Sequence, residues 1–222
     1  MEDSIIPIYK PIGLSSFKAL AIFKKQNNLK KVGHAGTLDP LAEGLLILAT
    51  GKATKQITQI QDLPKLYIAK IRLGATTQSF DREFEEENLV STKHLTRLDI
   101  ENALKHFEGK IMQTPPAFSA VKINGQRAYK LAREGQQIDI KPREVEIYSI
   151  KLLNYESPED FDLEIYCSKG TYIRSIARDL GEYLKVGGYM KALTRVSIGS
   201  YHIDKALRLN DLDKKPFPAS AE

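Results

Sequence analysis

The stretch His34–Gly44, HAGTLDPLAEG, holds Asp39 in a turn punctuated by Gly36, Pro40 and Gly44. An aspartate before proline commonly bonds its own backbone as a turn or cap residue. Here Pro40 fixes its own φ and pushes Asp39 towards an extended conformation. The glycines admit a ligand or a second backbone at close range. The run Leu45-Leu46-Ile47-Leu48 follows directly and would anchor the turn on a buried strand. A carboxylate on rigid support suits a nucleophile, which depends on position more than on basicity.

Other chemistries fit these residues less well. Glu43 could complete a carboxylate pair of the kind a glycosidase uses, but nothing in the spacing turns it towards Asp39. His34, His94, His106 and His202 show no metal-ligand spacing, so no metal is expected. "LLILATGKAT" imitates a phosphate-binding loop. That loop needs Gly, four residues, then Gly-Lys-Ser/Thr, whereas Gly44 stands seven positions before Gly51 and Ala53 follows Lys52. A nucleoside triphosphatase is rejected on that ground.

Local patterns suggest how Asp39 is carried. "SIIPIYKP" reads as a short strand. "GLSSF" starts a helix with Ser15 or Ser16 as N-cap, and Phe17, Leu20, Ala21 and Lys24 on one face. "LLILAT" suits a strand buried on both sides, and a helix opens after Gly51. "LYIAKIRLG", "REVEIYSIKLLNY" and "FDLEIYC" alternate as strands do. "LDIENALKHFEG" is a helix with Asp99 as candidate N-cap, an Ile100, Ala103, Leu104 and Phe107 stripe, and Gly109 as its stop. Asn124-Gly125 is a strong hairpin signal. "TYIRSIARDLGEYL" is a helix with Ile173, Ile176, Ala177 and Leu180 inward, and "TRVSIGSYHI" a last strand. Strands outnumber helices, which predicts an α+β fold: a large mixed, mainly antiparallel sheet with flanking helices.

The 222 residues make one large domain or two small ones, long enough to bury a core without staples. Cys167 is the only cysteine, which excludes an intramolecular disulfide and fits a reducing compartment. "MEDSIIPIYKP" has no basic region followed by an apolar core, and no apolar run approaches the ~20 residues of a membrane helix. A cytoplasmic location and no membrane partner are expected. The net charge of +5 favours a polyanionic partner. The basic residues sit in small groups beside turns and not in one tail: Lys24-Lys25, Lys30-Lys31, Lys52 with Lys55, Lys122 with Arg127, and Arg133.

Six segments, in order, give a more specific reading. "GHAGTLDPLAEGLLIL" resembles the catalytic signature of the TruB family of tRNA pseudouridine synthases. "YKPIGLSSF" resembles that family's Lys-Pro-x-Gly-x-Ser-Ser element, and "GKATK" its Gly-x-Ala-Thr-Lys. "LYIAKIRLG" resembles the strand bearing the active-site tyrosine. "PPAFSAVKINGQRAYKLAREG" and "CSKGTYIRSIARDLGEYL" resemble two further family segments. The matches run from about Ser4 to Tyr201.

The resemblance implies the pseudouridine synthase fold. It implies that a uridine in the T-loop of tRNA, at position 55, is detached at nitrogen 1, turned, and rejoined through carbon 5, without cofactor or metal. Asp39 would be the nucleophile and Arg174 its paired arginine. Tyr67 would stack on the base and take the carbon 5 proton. Tyr172 and Leu193 would line the pocket, and His34 would enter the T-loop beside the flipped base. Lys10 and Lys55, in matched elements, would bind substrate. Lys122, Arg127 and Arg133 would touch phosphates from an RNA-gripping insertion at about 118–143. Residues 1–203 would form the catalytic domain of a monomer acting on the T-arm, and 204–222 a short helical tail in place of the family's frequent C-terminal RNA-binding domain.

The chain departs from the family pattern after the tyrosine strand. Gln78 stands in "TQSFD" where an acid is usual, which leaves Asp81 as the candidate network member. Two alternatives stay open: a pseudouridine synthase acting mainly on another structured RNA, and a non-catalytic RNA-folding chaperone.

Overall fold

The computed structural model describes residues 3–209 apart from 124 and 137. In chain order the elements are strand β1 (Ile5–Lys10), helix α1 (Ser16–Gln26), β2 (Val32–Ala35), β3 (Glu43–Thr50), a 3-10 turn (Gly51–Gln56), α2 (Ile57–Asp62) and β4 (Lys65–Leu73). They continue with α3 (Arg97–Leu104), β5 (Gly109–Gln113), β6 (Lys122–Ile123), β7 (Gln126–Arg127), α4 (Ala128–Arg133), β8 (Arg143–Tyr155), β9 (Asp160–Cys167) and α5 (Ile173–Tyr183). Last come β10 (Gly188–Ile198), β11 (Tyr201–His202), a 3-10 turn (Ile203–Lys205) and β12 (Leu207–Arg208). The fold class is α+β, with a large, mainly antiparallel sheet and flanking helices, as the alternating segments predict.

The chain divides into two compact units: Met1–Tyr67 with Leu193–Glu222, and Ile68–Ala192. In the first, the strand order is β12-β1-β3-β10, with β2 added to β3 and β11 to β10. β1 runs antiparallel to β3 from Ile5↔Ala49 to Lys10↔Gly44, and β2 to β3 from Val32↔Thr50 to Ala35↔Ile47. The apolar run predicted to be buried on both sides is so: Leu45 to Ala49 have no exposed surface. On one side Leu46 and Leu48 pack with Ile6, Ile8, Ala19, Leu20 and Phe23; on the other Leu45 and Ile47 pack with Ala35, Ile60 and Ile198.

α1 corrects the predicted face. Its N-cap is Ser15, whose hydroxyl accepts the Lys18 N–H, and it buries Ser16, Ala19, Leu20 and Phe23. Phe17 is 73% exposed, and Ala21 and Lys24 are exposed too. The inward face is set by Ser16, a polar residue with a task described below. The expected helical tail is also corrected in its described part, where residues 203–205 form a single 3-10 turn and β12 pairs in parallel with β1. Residues 210–222 of that expected tail lie outside the described residues.

In the second unit the order is β4-β9-β8-β5. β5, β8 and β9 are antiparallel, and the sequence reading missed β5 and α4. α3 starts one turn earlier than expected. Thr96 is its N-cap, and Asp99 completes a capping box from the third helical position. The predicted stripe Ile100, Ala103, Leu104 and Phe107 is buried, as is that of α5. β6 and β7 pair Ile123↔Gln126 across residues 124–125, the hairpin that Asn124-Gly125 signals; Asn124 itself lies outside the described residues.

Candidate active site

Asp39 sits in the connection between β2 and β3, and the backbone on both sides of it is tied down. Preceding it, the buried Ser16 hydroxyl donates to Leu38 O at 2.9 Å and accepts the Leu38 N–H at 2.8 Å. Following it, the Gly13 N–H donates to Pro40 O at 2.8 Å, and the Ala42 N–H closes the turn on Asp39 O at 3.1 Å. Arg195, 1% exposed, spans the turn's ends. Its Nε donates to Leu45 O at 2.8 Å and its guanidinium to Gly36 O at 3.0 Å. Gly44 is required there. It has φ +105°, and a Cβ would stand 2.4 Å from Arg195 O.

The charges around this turn are specific. Lys10 has no exposed surface, and its Nζ donates to Pro11 O at 3.0 Å and Leu14 O at 2.7 Å. It braces the loop whose Gly13 holds Pro40. Burial pulls its pKa down to about 8, against the opposing pull of the Asp39 carboxylate. Glu43, the rival second acid, is engaged: its carboxylate accepts the Tyr9 hydroxyl at 2.5 Å and the Thr194 hydroxyl at 3.3 Å. Burial and that bond push the Tyr9 phenol up to about 12.

His34 lies on β2 opposite Leu48, half-buried. Its Nδ1 is buried and has no hydrogen-bond partner among the described residues. Burial first, then the positive charge of Arg195, lowers its pKa and favours the neutral ring. Such a nitrogen is open to a group brought by a ligand. Tyr67 alternates onto the buried side of β4, and Leu193 is buried on β10; each is 8% exposed. Lys55 is exposed on the 3-10 turn.

In the second unit Arg174, 4% exposed, occupies the first turn of α5. It lies 3.4 Å from the carboxylate of Asp81, itself 3% exposed, and donates to Ser79 O at 3.2 Å and Phe118 O at 3.1 Å. Asp81 also accepts the Ser79 hydroxyl at 2.6 Å and the Glu83 N–H at 2.9 Å. Between Ser79 and Asp81, Phe80 has φ +60°. That is a strained conformation for a bulky residue, of order 1–3 kcal/mol, and the Arg178 guanidinium covers its ring at 4.9 Å. Gln78, which replaces the family's usual acid, points outward and donates to Glu87 at 3.1 Å. Asp81, only a candidate network member on the sequence alone, is thus a carboxylate that meets Arg174.

Tyr172 is the N-cap of α5. Gln113 bonds both its N–H and its C=O, at 2.8 and 3.1 Å, and Arg143 stacks over its ring at 5.1 Å. Of the three insertion cations, Lys122 is exposed. Arg127 donates to Ala120 O, and Arg133 is ion-paired with Glu83 at 2.9 Å. The expected site residues therefore fall into two sets. His34, Asp39, Lys10, Lys55, Tyr67 and Leu193 belong to the first unit; Arg174, Tyr172, Lys122, Arg127 and Arg133 belong to the second. Sequence reasoning missed Ser16 as a turn anchor and Arg195 altogether. The one available signal was Arg195's place in "ALTRV" beside Leu193.

Among the described residues no cluster of three His, Cys, Asp or Glu is arranged to hold a metal ion. No described helix is long and apolar enough to cross a membrane.

Comparison with known proteins places these features in a family. The model of the TruB family pseudouridylate synthase N-terminal domain matches residues 24–173, and that of the tRNA pseudouridylate synthase B C-terminal domain matches residues 174–218. The tRNA pseudouridine synthase B of Bacteroides fragilis is 46% identical over 212 residues, 93% of this chain and 91% of its own length. That of Clostridium perfringens is 41% identical over 213 residues, 96% of this chain and 72% of its own. A chain in the crystal structure of a Cbf5-Nop10-Gar1 complex matches with TM-score 0.72 and 30% identity over 94% of this chain; this chain spans about half, 53%, of that one.

Proposed function

The chain belongs to the TruB family of pseudouridylate synthases, and from that premise we propose that it isomerises uridine to pseudouridine in tRNA, at position 55 of the T-loop. The observation that carries the reading is Asp39, a carboxylate whose two flanking residues have their backbones held, Leu38 by the Ser16 hydroxyl and Pro40 by the Gly13 N–H. A nucleophile gains from being fixed before substrate arrives.

The reaction balances internally. The bond from nitrogen 1 to the ribose carbon 1′ breaks, the uracil turns, and carbon 5 bonds to carbon 1′. Carbon 5 loses its proton and nitrogen 1 gains one. Asp39 supplies the nucleophile for the detachment, and the bond it forms breaks again before the product leaves, which restores the free carboxylate. Tyr67 stacks on the uracil and accepts the carbon 5 proton; Tyr172 and Leu193 line the pocket. Arg174 joins the catalytic set through its match to the family's Lys-Gly-Thr-Tyr-Ile-Arg element, and Asp81 holds its guanidinium. His34, whose Nδ1 has no hydrogen-bond partner among the described residues, stands beside the flipped base. Extrusion of that base costs a few kcal/mol, least where stacking is already irregular, as in a T-loop.

Lys55, Lys122, Arg127 and Arg133 contact RNA directly. Lys10 acts on substrate through the loop it braces, because its ammonium is buried on two carbonyls. The working species is a cytoplasmic monomer on the T-arm. Its catalytic domain comprises residues 1–203, with the RNA-gripping insertion at about 118–143 and a tail at 204–222.

The test is Asp39→Asn on a T-arm hairpin, with pseudouridine read by tritium release from carbon 5 and binding read separately. Turnover is expected to vanish while affinity stays within about tenfold. Turnover near wild type in the variant would remove Asp39 from the mechanism.

A further inference from the structure

The net charge of +5 is not spread evenly. The first unit holds 14 lysines and arginines against 9 acids, and the second holds 19 of each. From Ser4 to Leu38 there is no acid at all, against six lysines. In the second unit the acids equal the cations in number, and several cations are paired, as in Arg72 with Glu159, Arg97 with Glu101 and Lys191 with Asp160.

Five exposed lysines of the first unit gather at one place. β2 and β3 end their ladder at Val32↔Thr50. Lys30 and Lys31 lead into that end and Lys52 leaves it, with the Gly51 N–H donating to Lys31 O at 3.1 Å. α1 terminates on the same connection: the Leu29 N–H donates to Lys24 O at 3.0 Å and the Asn28 N–H to Lys25 O at 3.2 Å. All five lysines are exposed. Lys52 has a loose, exposed tie to Asp3 at 3.9 Å, of a kind that contributes little. The other four have no carboxylate partner among the described residues. The negative end of α1 accounts for Lys24 and Lys25 in its last turn; it does not account for Lys30, Lys31 and Lys52.

We infer that this cluster is a second RNA-binding surface, fitted to the phosphate backbone of the stem that carries the substrate loop. The inference rests on the functional reading above and adds a surface outside its catalytic and insertion residues. The same β2–β3 ladder has the Asp39 turn at its other end, beyond Ala35↔Ile47. Three residue steps separate the ends, about 10 Å along a strand. An RNA whose loop base is at Asp39 therefore brings its flanking backbone within reach of the lysines. Neither "LKK" nor "GKATK" contains an aromatic residue. The surface offers point charges without stacking platforms, which suits backbone contact and not base readout.

The test measures binding by fluorescence anisotropy against salt concentration, on a long-stem hairpin and on its loop-only counterpart. The variants are Lys30→Gln/Lys31→Gln/Lys52→Gln and, separately, Lys24→Gln/Lys25→Gln. The control is Lys93→Gln/Lys105→Gln/Lys185→Gln, which removes three exposed charges from the second unit. Each lost contact takes ~0.7–0.9 from the magnitude of the log–log salt slope. The triple variant should therefore lose about 2 on the hairpin and nothing on the loop, with the control unchanged. Slopes that persist in both variants, or fall equally in the control, would overturn the surface. An equal fall on loop-only RNA would overturn its assignment to the stem. Binding is read without turnover, so a chain that shows the expected slopes yet makes no pseudouridine would overturn only the functional reading.

Discussion

Leu38 gives both of its backbone hydrogen-bonding groups to one side chain, the hydroxyl of Ser16, 22 residues earlier. The serine has 1% exposure and Leu38 has 3%, so neither backbone group has water as an alternative. Each buried group left unpaired costs ~1–3 kcal/mol. Ser16→Ala should destabilise the chain by roughly 2–4 kcal/mol and lower kcat more than it raises KM, since Leu38 immediately precedes Asp39. Urea unfolding and single-turnover kinetics check the two parts. A stable variant with unchanged kcat would show that the turn holds without this anchor.

Gly44→Ala probes the other end of the turn. Its Cβ would meet the Arg195 carbonyl at 2.4 Å and the Arg195 nitrogen at 2.8 Å, both backbone atoms that have no rotamer to yield. With φ at +105° the strain adds to the clash, and a loss of at least ~1–3 kcal/mol is expected. Arg195→Lys should cost activity as well, because one ammonium replaces a fork that reaches Leu45 O and Gly36 O together. If both variants keep wild-type Tm and turnover, the arginine is not what fixes the turn.

Arg174 and Asp81 form a buried pair at 3.4 Å, 95% or more shielded on both sides. Removing one partner takes a counter-ion from a buried charge, a change that costs up to ~3–5 kcal/mol. Asp81→Ala and Arg174→Met should each unfold the protein at markedly lower urea. The double variant should recover part of the loss. A double-mutant cycle with no coupling would exclude the pair as a unit.

Lys10 gives a pH signature. Its ordinary value of 10.5 is lowered to about 8 in the folded chain. Between those values the unfolded chain binds more protons, so stability rises with pH across that window. Below about 8 both states hold the proton and the full burial penalty is present. Lys10→Met should abolish the rise, so the stability difference between wild type and variant should shift in favour of wild type from pH 8 to 10. A difference that stays flat there would mean that the lysine titrates normally.

What the sequence disclosed depended on how local each cause is. β4, β8 and β9 were legible because alternation is written along each strand. The Asp39 turn was legible because Gly, Pro and Asp carry their backbone preferences with them. The face of α1 was misread because Ser16 is inside for a hydrogen bond to Leu38, and a hydrophobic stripe has no place for such a residue. Asp99 was taken for an N-cap because the box it shares with Thr96 uses both side chains. Arg195 had only its place near Leu193 to mark it, since a buried arginine is explained by carbonyls far away in the chain. β12 is two residues whose only reason to be a strand is β1.

Arg195 also sets a schedule. It follows Leu45 by 150 residues and Gly36 by 159. At a translation rate of ~5–20 residues per second, the Asp39 turn leaves the ribosome roughly 8–30 s before its brace is made. The second unit, Ile68–Ala192, is continuous and complete in sequence before Arg195 is added. A nascent chain therefore carries Asp39 long before Arg195 can brace its turn. A turn written early in the chain is thus completed only by a side chain added much later.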